Sequence, residues 1–262
     1  MSAPTWDPRQ YQRFADERSR PFFELMDRVR ADQPRRVVDL GCGTGALTAT
    51  VTERWPDAFV EGVDSSPEMI AEAAPRAIPG HLGFALADLR GWRPRVHVDV
   101  LVSNAALQWL PDHEARLPGW VEALSPGGWL AFQVPGADRA PIRVSLDDLR
   151  ESPRWRDRLA GVALWATVLE PAEYLARLAS LGCKVDAWET TYVHVLQGAN
   201  PVLEWVKGTA LRPVLSALAG AEREAFLSEY GARLRDAYPT QPFGTVLPFR
   251  RLFVVAHKPK GS

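Results

Sequence analysis

The apolar positions in the first half of the chain come in short runs that alternate with amphipathic stretches. Five of these runs predict strands: RRVVDLG, AFVEGVDSS, GFALAD, VDVLVSNA and GGWLAFQVPG. Between the second and third runs, SSPEMIAEAAPRA predicts a helix with Ser66 as its N-cap and Pro67 as its first residue. Because strands that alternate with helices are typical of a parallel sheet with right-handed crossovers, the pattern predicts an α/β fold.

Past the fifth strand the pattern changes. Residues 139–180 show no strand signal, and KVDAWETTYVHVL then alternates as a strand does. A second helical stretch is predicted from about Pro201 to Tyr238, and PFRRLFVVAHK predicts a closing strand. We therefore expect a single domain over residues 1–262, with helical inserts at 139–180 and 198–246 that form a cap over the sheet.

Composition and charge narrow the class of partner. The chain has 262 residues, of which 46% are hydrophobic, and its 31 basic side chains nearly balance 32 acidic ones. Without a net field that would attract nucleic acid or an anionic membrane, we expect a small-molecule partner. Two cysteines are too few for a disulfide framework, and no apolar run approaches the roughly 18 residues of a membrane span. Together with a first segment that lacks a signal-peptide core, these features predict a cytoplasmic protein.

A glycine-rich turn follows the first predicted strand. In VVDLGCGTG, Gly41, Gly43 and Gly45 stand at alternate positions, with Cys42 between the first two. Glycine allows a positive φ and a close approach of the backbone to a ligand, and the helix that follows presents free amide groups and its positive dipole end. The turn therefore predicts a site for a polar ligand, with a plain packing turn as the alternative.

Acidic residues end the next two predicted strands. Asp64 lies about 20 residues past the glycines, where a carboxylate can accept both hydroxyl groups of a ribose. Asp88, after the third strand, suits an exocyclic amine such as that of adenine. The alternatives are a helix-capping role for Asp64 and an ordinary loop position for Asp88.

Four segments in this order, VVDLGCGTG, EGVDSSPEMI, LADLR and VSNAALQWL, resemble the cofactor motifs of class I S-adenosylmethionine-dependent methyltransferases. Further segments are similar to the trans-aconitate methyltransferases over nearly the whole chain: WDPRQYQRFADERSRPFFEL, SNAALQWLPDH, GCKVDAWETTYVHVL, ALRPVL and PFRRLFVVAHK. The resemblance implies a Rossmann-like, doubly wound sheet of seven strands, the last of them antiparallel. It also implies S-adenosyl-L-methionine as cofactor and carboxyl O-methylation of trans-aconitate or a related small polycarboxylate.

The resemblance also implies cofactor roles. Helices within residues 1–34 would cover the cofactor, and Arg18, on one helical face with Tyr11 and Phe14, would pair with its carboxylate or remain a solvated arginine. Met69 would pack near the adenine or simply fill the core. The full set of implied cofactor-binding residues is Arg18, Asp39, Gly41, Cys42, Gly43, Gly45, Asp64, Ser65, Met69, Asp88, Leu89, Asn104 and Ala105.

The methyl acceptor is the harder inference. A carboxylate is already an anion and can attack a sulfonium methyl group without a general base, so we expect no catalytic dyad. The five histidines show no metal-ligand spacing, so we also expect no metal. A polycarboxylate needs cations and hydroxyl donors around it. Tyr192 and His194 share one strand face, and Arg251 is the arginine of the family pattern. The candidate substrate-binding residues are Trp109, Tyr192, His194, Arg212, Arg250 and Arg251. As alternatives, Trp109 and His194 would have structural roles in the core or the cap, and one of Arg250 and Arg251 would be an ordinary surface charge.

Three other functions stay open from the sequence. A methyltransferase for another small acid or a secondary metabolite would keep the cofactor motifs and change only the pocket. A nicotinamide-dependent oxidoreductase would also use a glycine turn and an acid at position 64, although it favours G-x-G-x-x-G. A noncatalytic cofactor-binding module is the third. Residues 139–180 show less of the family pattern than their flanks do, so acid specificity could differ there.

Overall fold

The computed structural model describes the backbone of residues 15–260 and the side chains of residues 19–260. Its strands are β1 (Arg36–Leu40), β2 (Phe59–Asp64), β3 (Leu82–Leu86), β4 (Val98–Asn104), β5 (Leu124–Pro135), β6 (Lys184–Leu196), β7 (Thr240–Gln241) and β8 (Gly244–His257). Its α-helices are α1 (Ala15–Asp27), α2 (Ala46–Arg54), α3 (Pro67–Ala73), α4 (Leu117–Ala123), α5 (Pro141–Arg150), α6 (Pro171–Ser180), α7 (Pro201–Lys207), α8 (Arg212–Ala217) and α9 (Gly220–Ala237). Short 3-10 helices span Ala74–Arg76, Leu107–Trp109 and His113–Arg116.

The strands form one mixed sheet in the order β3-β2-β1-β4-β5-β8-β6. Strand β1 is parallel to β2 and β4, and β5 is parallel to β4 but antiparallel to β8. The seven-stranded doubly wound sheet with an antiparallel last strand is thus confirmed, and the two-residue β7 pairs with β8 as an addition. Strand order reverses between β1 and β4, which opens a crevice at their carboxyl ends where such sheets bind ligands.

The local sequence explains the elements that frame this crevice. Val37 and Val38 of β1 have no exposed surface, as expected for a central strand covered on both faces. Helix α3 begins as predicted, with Pro67 as its first residue and the Ser66 hydroxyl accepting a hydrogen bond from the Met69 amide at 3.2 Å. The largest fully buried side chains of the main core are Trp120, Tyr174 and Phe132.

Contacts divide the chain into two compact units. The larger unit takes in Arg18–Pro135, Ala166–Thr190 and the chain from Arg251, and the smaller one takes in Gly136–Trp165 and Thr191–Arg250. The predicted first insert is therefore divided, since α6 belongs to the larger unit. Within residues 15–260, no helix is both long and apolar enough to cross a membrane.

The smaller unit has an apolar core of its own. Helix α9 packs on α5 and α7, and the Tyr230 hydroxyl donates to the Ile142 carbonyl at 2.6 Å. Trp155 meets the edge of Phe226 with ring centroids 5.2 Å apart, and its indole N–H donates to Glu229 at 2.9 Å. The helical stretch predicted from about residue 201 to 238 is thus three helices, α7, α8 and α9.

Candidate functional site

The three glycines of the turn after β1 have different surroundings. A Cβ atom on Gly41 would collide with the Ala106 side chain, and one on Gly45 would collide with the Phe84 ring. Gly43 has a φ of 55°, and a Cβ atom there would meet no atom of the described residues within 4 Å. Gly41 and Gly45 are therefore required by packing, whereas Gly43 borders space that the described residues leave open to a ligand.

Asp39 lies below this turn and is only 3% exposed. Its Oδ2 atom accepts a hydrogen bond from the Thr48 hydroxyl at 2.6 Å, while its buried Oδ1 atom has no partner among the described residues. Burial raises the pKa of Asp39 to about 7. A buried carboxylate oxygen without a donor is costly, so this atom suits a ligand that brings an N–H group or a positive charge.

Asp64, at the end of β2, ties two turns together. Its Oδ2 atom accepts from the Gly43 amide at 2.9 Å, and its Oδ1 atom accepts from the Ser66 amide at 2.9 Å. Burial raises the pKa of Asp64, and these backbone hydrogen bonds oppose that shift. Since Ser66 caps α3, Asp64 is not the helix cap, and its remaining lone pairs stay available to hydroxyl donors. Ser65 beside it is exposed.

The predicted adenine-binding residues have mixed surroundings. Asp88 is exposed, and Arg90 holds its carboxylate with Nε and Nη2 at 2.8 and 2.6 Å from Oδ2. The hydrogen bonds from this guanidinium keep the pKa of Asp88 below its usual value. Leu89 is partly buried against the main core, and Met69 is buried at 3% exposure. Cys42 is also buried, and burial raises the pKa of its thiol.

Polar side chains meet at the carboxyl end of β4. Asn104 Oδ1 accepts from Gln133 Nε2 at 2.7 Å, and Gln133 Oε1 accepts from Arg251 Nη1 at 3.4 Å. Ala105 follows with a φ of 54°, unusual for a residue other than glycine, and its amide donates to the Gln133 carbonyl at 3.0 Å. The structure therefore joins Asn104, predicted near the cofactor, to Arg251, predicted near the acceptor. Trp109, in the following 3-10 helix, is half-buried.

The other predicted acceptor residues belong to the smaller unit. The rings of Tyr192 and His194 stack with centroids 6.2 Å apart, which confirms that they share a strand face. His194 also packs on Trp205 at 4.9 Å. Arg212 is the first residue of α8 and is 8% exposed, while Arg250 is half-buried.

The N-terminal predictions fall at the edge of what the structure describes. Arg18 lies within α1, but its side chain is outside the described residues, as are Tyr11 and Phe14 altogether. Two residues of the site were missed by sequence analysis. Thr48 bonds to Asp39, and Gln133 lies with no exposed surface in the apolar run of β5. A polar residue near the end of a strand that is otherwise apolar was the available signal for Gln133.

Residues 37–128 match the family model described as a methyltransferase domain. The YcgJ protein of Bacillus subtilis has a similar fold, with a TM-score of 0.61, 14% identity and coverage of 92% of this chain and 99% of that chain. The chain thus has the fold of a methyltransferase domain. It is 53% identical to the trans-aconitate 2-methyltransferase of Streptomyces avermitilis over 98% of both chains. The Rhodococcus jostii trans-aconitate 2-methyltransferase is 52% identical over 96% of this chain and 98% of its own. The chain belongs to the trans-aconitate 2-methyltransferase family.

This membership confirms the family resemblance and the Rossmann-like fold class. It decides against a nicotinamide-dependent oxidoreductase and against a noncatalytic binding module, because the family consists of enzymes that transfer a methyl group.

Proposed function

We propose that the protein transfers the methyl group of S-adenosyl-L-methionine to a carboxylate of trans-aconitate, which gives the monomethyl ester. The observation that carries this proposal is the 53% identity, over 98% of both chains, to a relative named for methylation of that acid. A related small polycarboxylate is the alternative acceptor for the same chemistry.

The residues around the first glycine turn fit this cofactor. Gly43 borders open space, Asp39 has a buried oxygen without a donor, and Asp64 keeps lone pairs for hydroxyl groups. A ligand with an ammonium group and a ribose satisfies both acids at once. When bound, S-adenosyl-L-methionine supplies an electrophilic methyl group on a sulfonium centre.

Each part of the cofactor has residues of this chain assigned to it. The turn from Gly41 to Gly45, including Cys42, together with Asp39, would hold the amino acid part, and Arg18 would pair with its carboxylate. Asp64 and Ser65 would hold the ribose. The assignments near the base and the methyl group are Met69, Asp88, Leu89, Asn104 and Ala105.

Methylation of a carboxylate requires little acid–base chemistry from the protein. Its carboxylate is already ionised at neutral pH and keeps a lone pair for the attack, so no proton has to be removed. The protein's task is then to orient that carboxylate and to balance the charge of the others. We assign this task to six residues, each tested separately by substitution: Trp109, Tyr192, His194, Arg212, Arg250 and Arg251.

Binding and turnover measurements test the proposal. We expect calorimetry to show that the protein binds S-adenosylhomocysteine and does not bind NADH. With a methyl-labelled cofactor and a panel of acids, we expect label transfer to trans-aconitate, and we expect its neutral triester not to compete with it. If the triester or an uncharged metabolite reacts faster than the triacid, the polycarboxylate assignment is wrong while the methyltransferase class stands.

A further inference from the structure

The buried Gln133 is the central member of a hydrogen-bonded row across three strands. It has no exposed surface, and its neighbour Arg251 is only 5% exposed. An amide buried in an apolar strand is unfavourable unless both its oxygen and its nitrogen find partners. Here both do, since Gln133 bonds to Asn104 on one side and to Arg251 on the other.

The sheet register accounts for the row. Asn104 of β4 is the direct partner of Gln133 of β5, so their side chains leave the same face. Arg251 of β8 is the partner of Pro135, two residues further along β5. Because side chains alternate with a period of two, Gln133 and Arg251 also share that face. The three residues lie at the carboxyl edge of the parallel strands.

Chemistry fixes the direction of the row. A guanidinium group can only donate, so the Gln133 oxygen must face Arg251 and the Gln133 nitrogen must face Asn104. Asn104 must then turn its oxygen toward Gln133, which leaves its Nδ2 group pointing elsewhere. No hydrogen bond from this Nδ2 group to the protein occurs among residues 19–260, and Asn104 is only half-buried.

We propose that Gln133 is a positioning residue that holds the Asn104 amide so that Nδ2 donates a hydrogen bond to a carboxylate of the methyl acceptor. This inference rests on the proposed function and departs from the assignment of Asn104 to the cofactor. An N–H donor and the cation Arg251, aligned on one face by the same buried amide, form a set that suits an anion. Gln133 itself touches no substrate and acts through its two neighbours.

Asn104→Asp is the sharpest test because it keeps the oxygen that accepts from Gln133. The variant replaces only the outward Nδ2 group, putting a carboxylate oxygen where an N–H donor stood. A donor to a charged partner is worth enough to raise the KM for trans-aconitate about 10- to 150-fold. We expect an unchanged Kd for S-adenosylhomocysteine and an unchanged melting temperature.

Gln133→Glu tests the positioning role through a change at a distance. The ionised Glu side chain still accepts from Arg251 but cannot donate to Asn104, so the Asn104 amide turns and directs its oxygen toward the acceptor. We expect a similar rise in the acceptor KM with little change in cofactor Kd. In an Asn104→Ala background the same substitution should raise the KM by a smaller factor than in the wild type, because one of the two neighbours that it acts through is gone.

Three results would overturn the inference. The first is a wild-type KM for trans-aconitate in Asn104→Asp. The second is weaker binding of S-adenosylhomocysteine in that variant with an unchanged acceptor KM, which would show that the side chain at position 104 contacts the cofactor and not the acceptor. The third is full additivity of Gln133→Glu with Asn104→Ala. A wild-type protein without turnover on trans-aconitate contradicts the proposed function as well, whereas normal wild-type turnover with unaffected variants contradicts this inference alone.

Discussion

Gly43 offers a clean test of where the cofactor binds, because the chain supplies a matched control. Gly43 has a φ of 55° and Gly80 has a φ of 79°, and within residues 19–260 a Cβ atom on either would meet nothing within 4 Å. Alanine at either position therefore creates the same kind of backbone strain without a clash in the part of the chain that the structure describes. Only the Gly43 methyl group would enter the proposed cofactor space.

The expected magnitudes follow from this comparison. A residue other than glycine in the left-handed region costs about 1–2 kcal/mol, and for a chain of this size each kcal/mol lowers the melting temperature by about 2–4 °C. Both variants should thus melt about 2–8 °C below the wild type. A methyl group forced into a well-packed contact costs about 1–3 kcal/mol, which is about a 5- to 150-fold loss of affinity. Gly43→Val, with a larger side chain, should bind no cofactor that calorimetry can detect.

The assay compares the Kd of S-adenosylhomocysteine by calorimetry with the melting temperature of each apo protein. We expect Gly43→Ala to bind weakly and Gly80→Ala to bind as the wild type does, with similar losses of stability. Equal affinities in the two variants, or turnover retained by Gly43→Val, would show that this turn does not hold the cofactor.

Three further predictions concern charged residues. Asp64→Ala should weaken S-adenosylhomocysteine binding by about 1–3 kcal/mol, because a charged hydrogen-bond acceptor is lost. An unchanged Kd with a lower melting temperature would show that Asp64 serves only to stabilise the fold, through its bonds with the Gly43 and Ser66 amides. The folded-state pKa of Asp39, about 7, exceeds the ordinary value of 3.8, so the folded protein binds the extra proton between these values and loses stability as pH rises through that window. The melting temperature of the apo wild type should therefore fall relative to that of Asp39→Asn between about pH 4 and about pH 7. A constant difference across that range would refute the shift. Arg251→Gln and Arg212→Gln should each weaken acceptor binding by about 1.5–3 kcal/mol, which raises the acceptor KM about 10- to 150-fold, and should leave the cofactor Kd unchanged. Arg251→Lys should recover only part of this loss, because lysine keeps the charge but not the two-pronged geometry. Wild-type kinetics in both Gln variants would contradict the acceptor assignment.

Most of the sheet could be predicted because its signals are local. The runs that became β1 to β5 are apolar and bounded by turn residues, and the Ser66–Pro67 helix start is a cap that needs no tertiary information. The antiparallel last strand came from the family resemblance, since pairing between β5 and β8 joins residues more than a hundred positions apart. The two-residue β7 is too short to leave a pattern in the sequence.

The site was less predictable where roles depend on side-chain partners. The spacing of Asp64 from the glycines indicated a ligand acid, but its bonds to the Gly43 and Ser66 amides depend on how two turns meet in space. Likewise, the hydrogen bond between the Arg90 guanidinium and the Asp88 carboxylate depends on the conformations of the two side chains, which the order of the strands does not predict. Gln133 was missed because a polar side chain can be buried in an apolar strand only when other residues form hydrogen bonds with it. Its partners, Asn104 and Arg251, lie on other strands and are distant in sequence.

The central claim is that this chain forms a methyl ester on a carboxylate of trans-aconitate. Its most direct test is to incubate the wild-type protein with S-adenosyl-L-methionine carrying a labelled methyl group and trans-aconitate, and then to treat the isolated product with mild alkali. The account predicts a singly methylated acid from which alkali releases all of the label as methanol, because esters hydrolyse and methyl groups on carbon or ether oxygen do not. A labelled product that resists alkali, or no transfer to trans-aconitate while another class of acceptor is methylated, would contradict it.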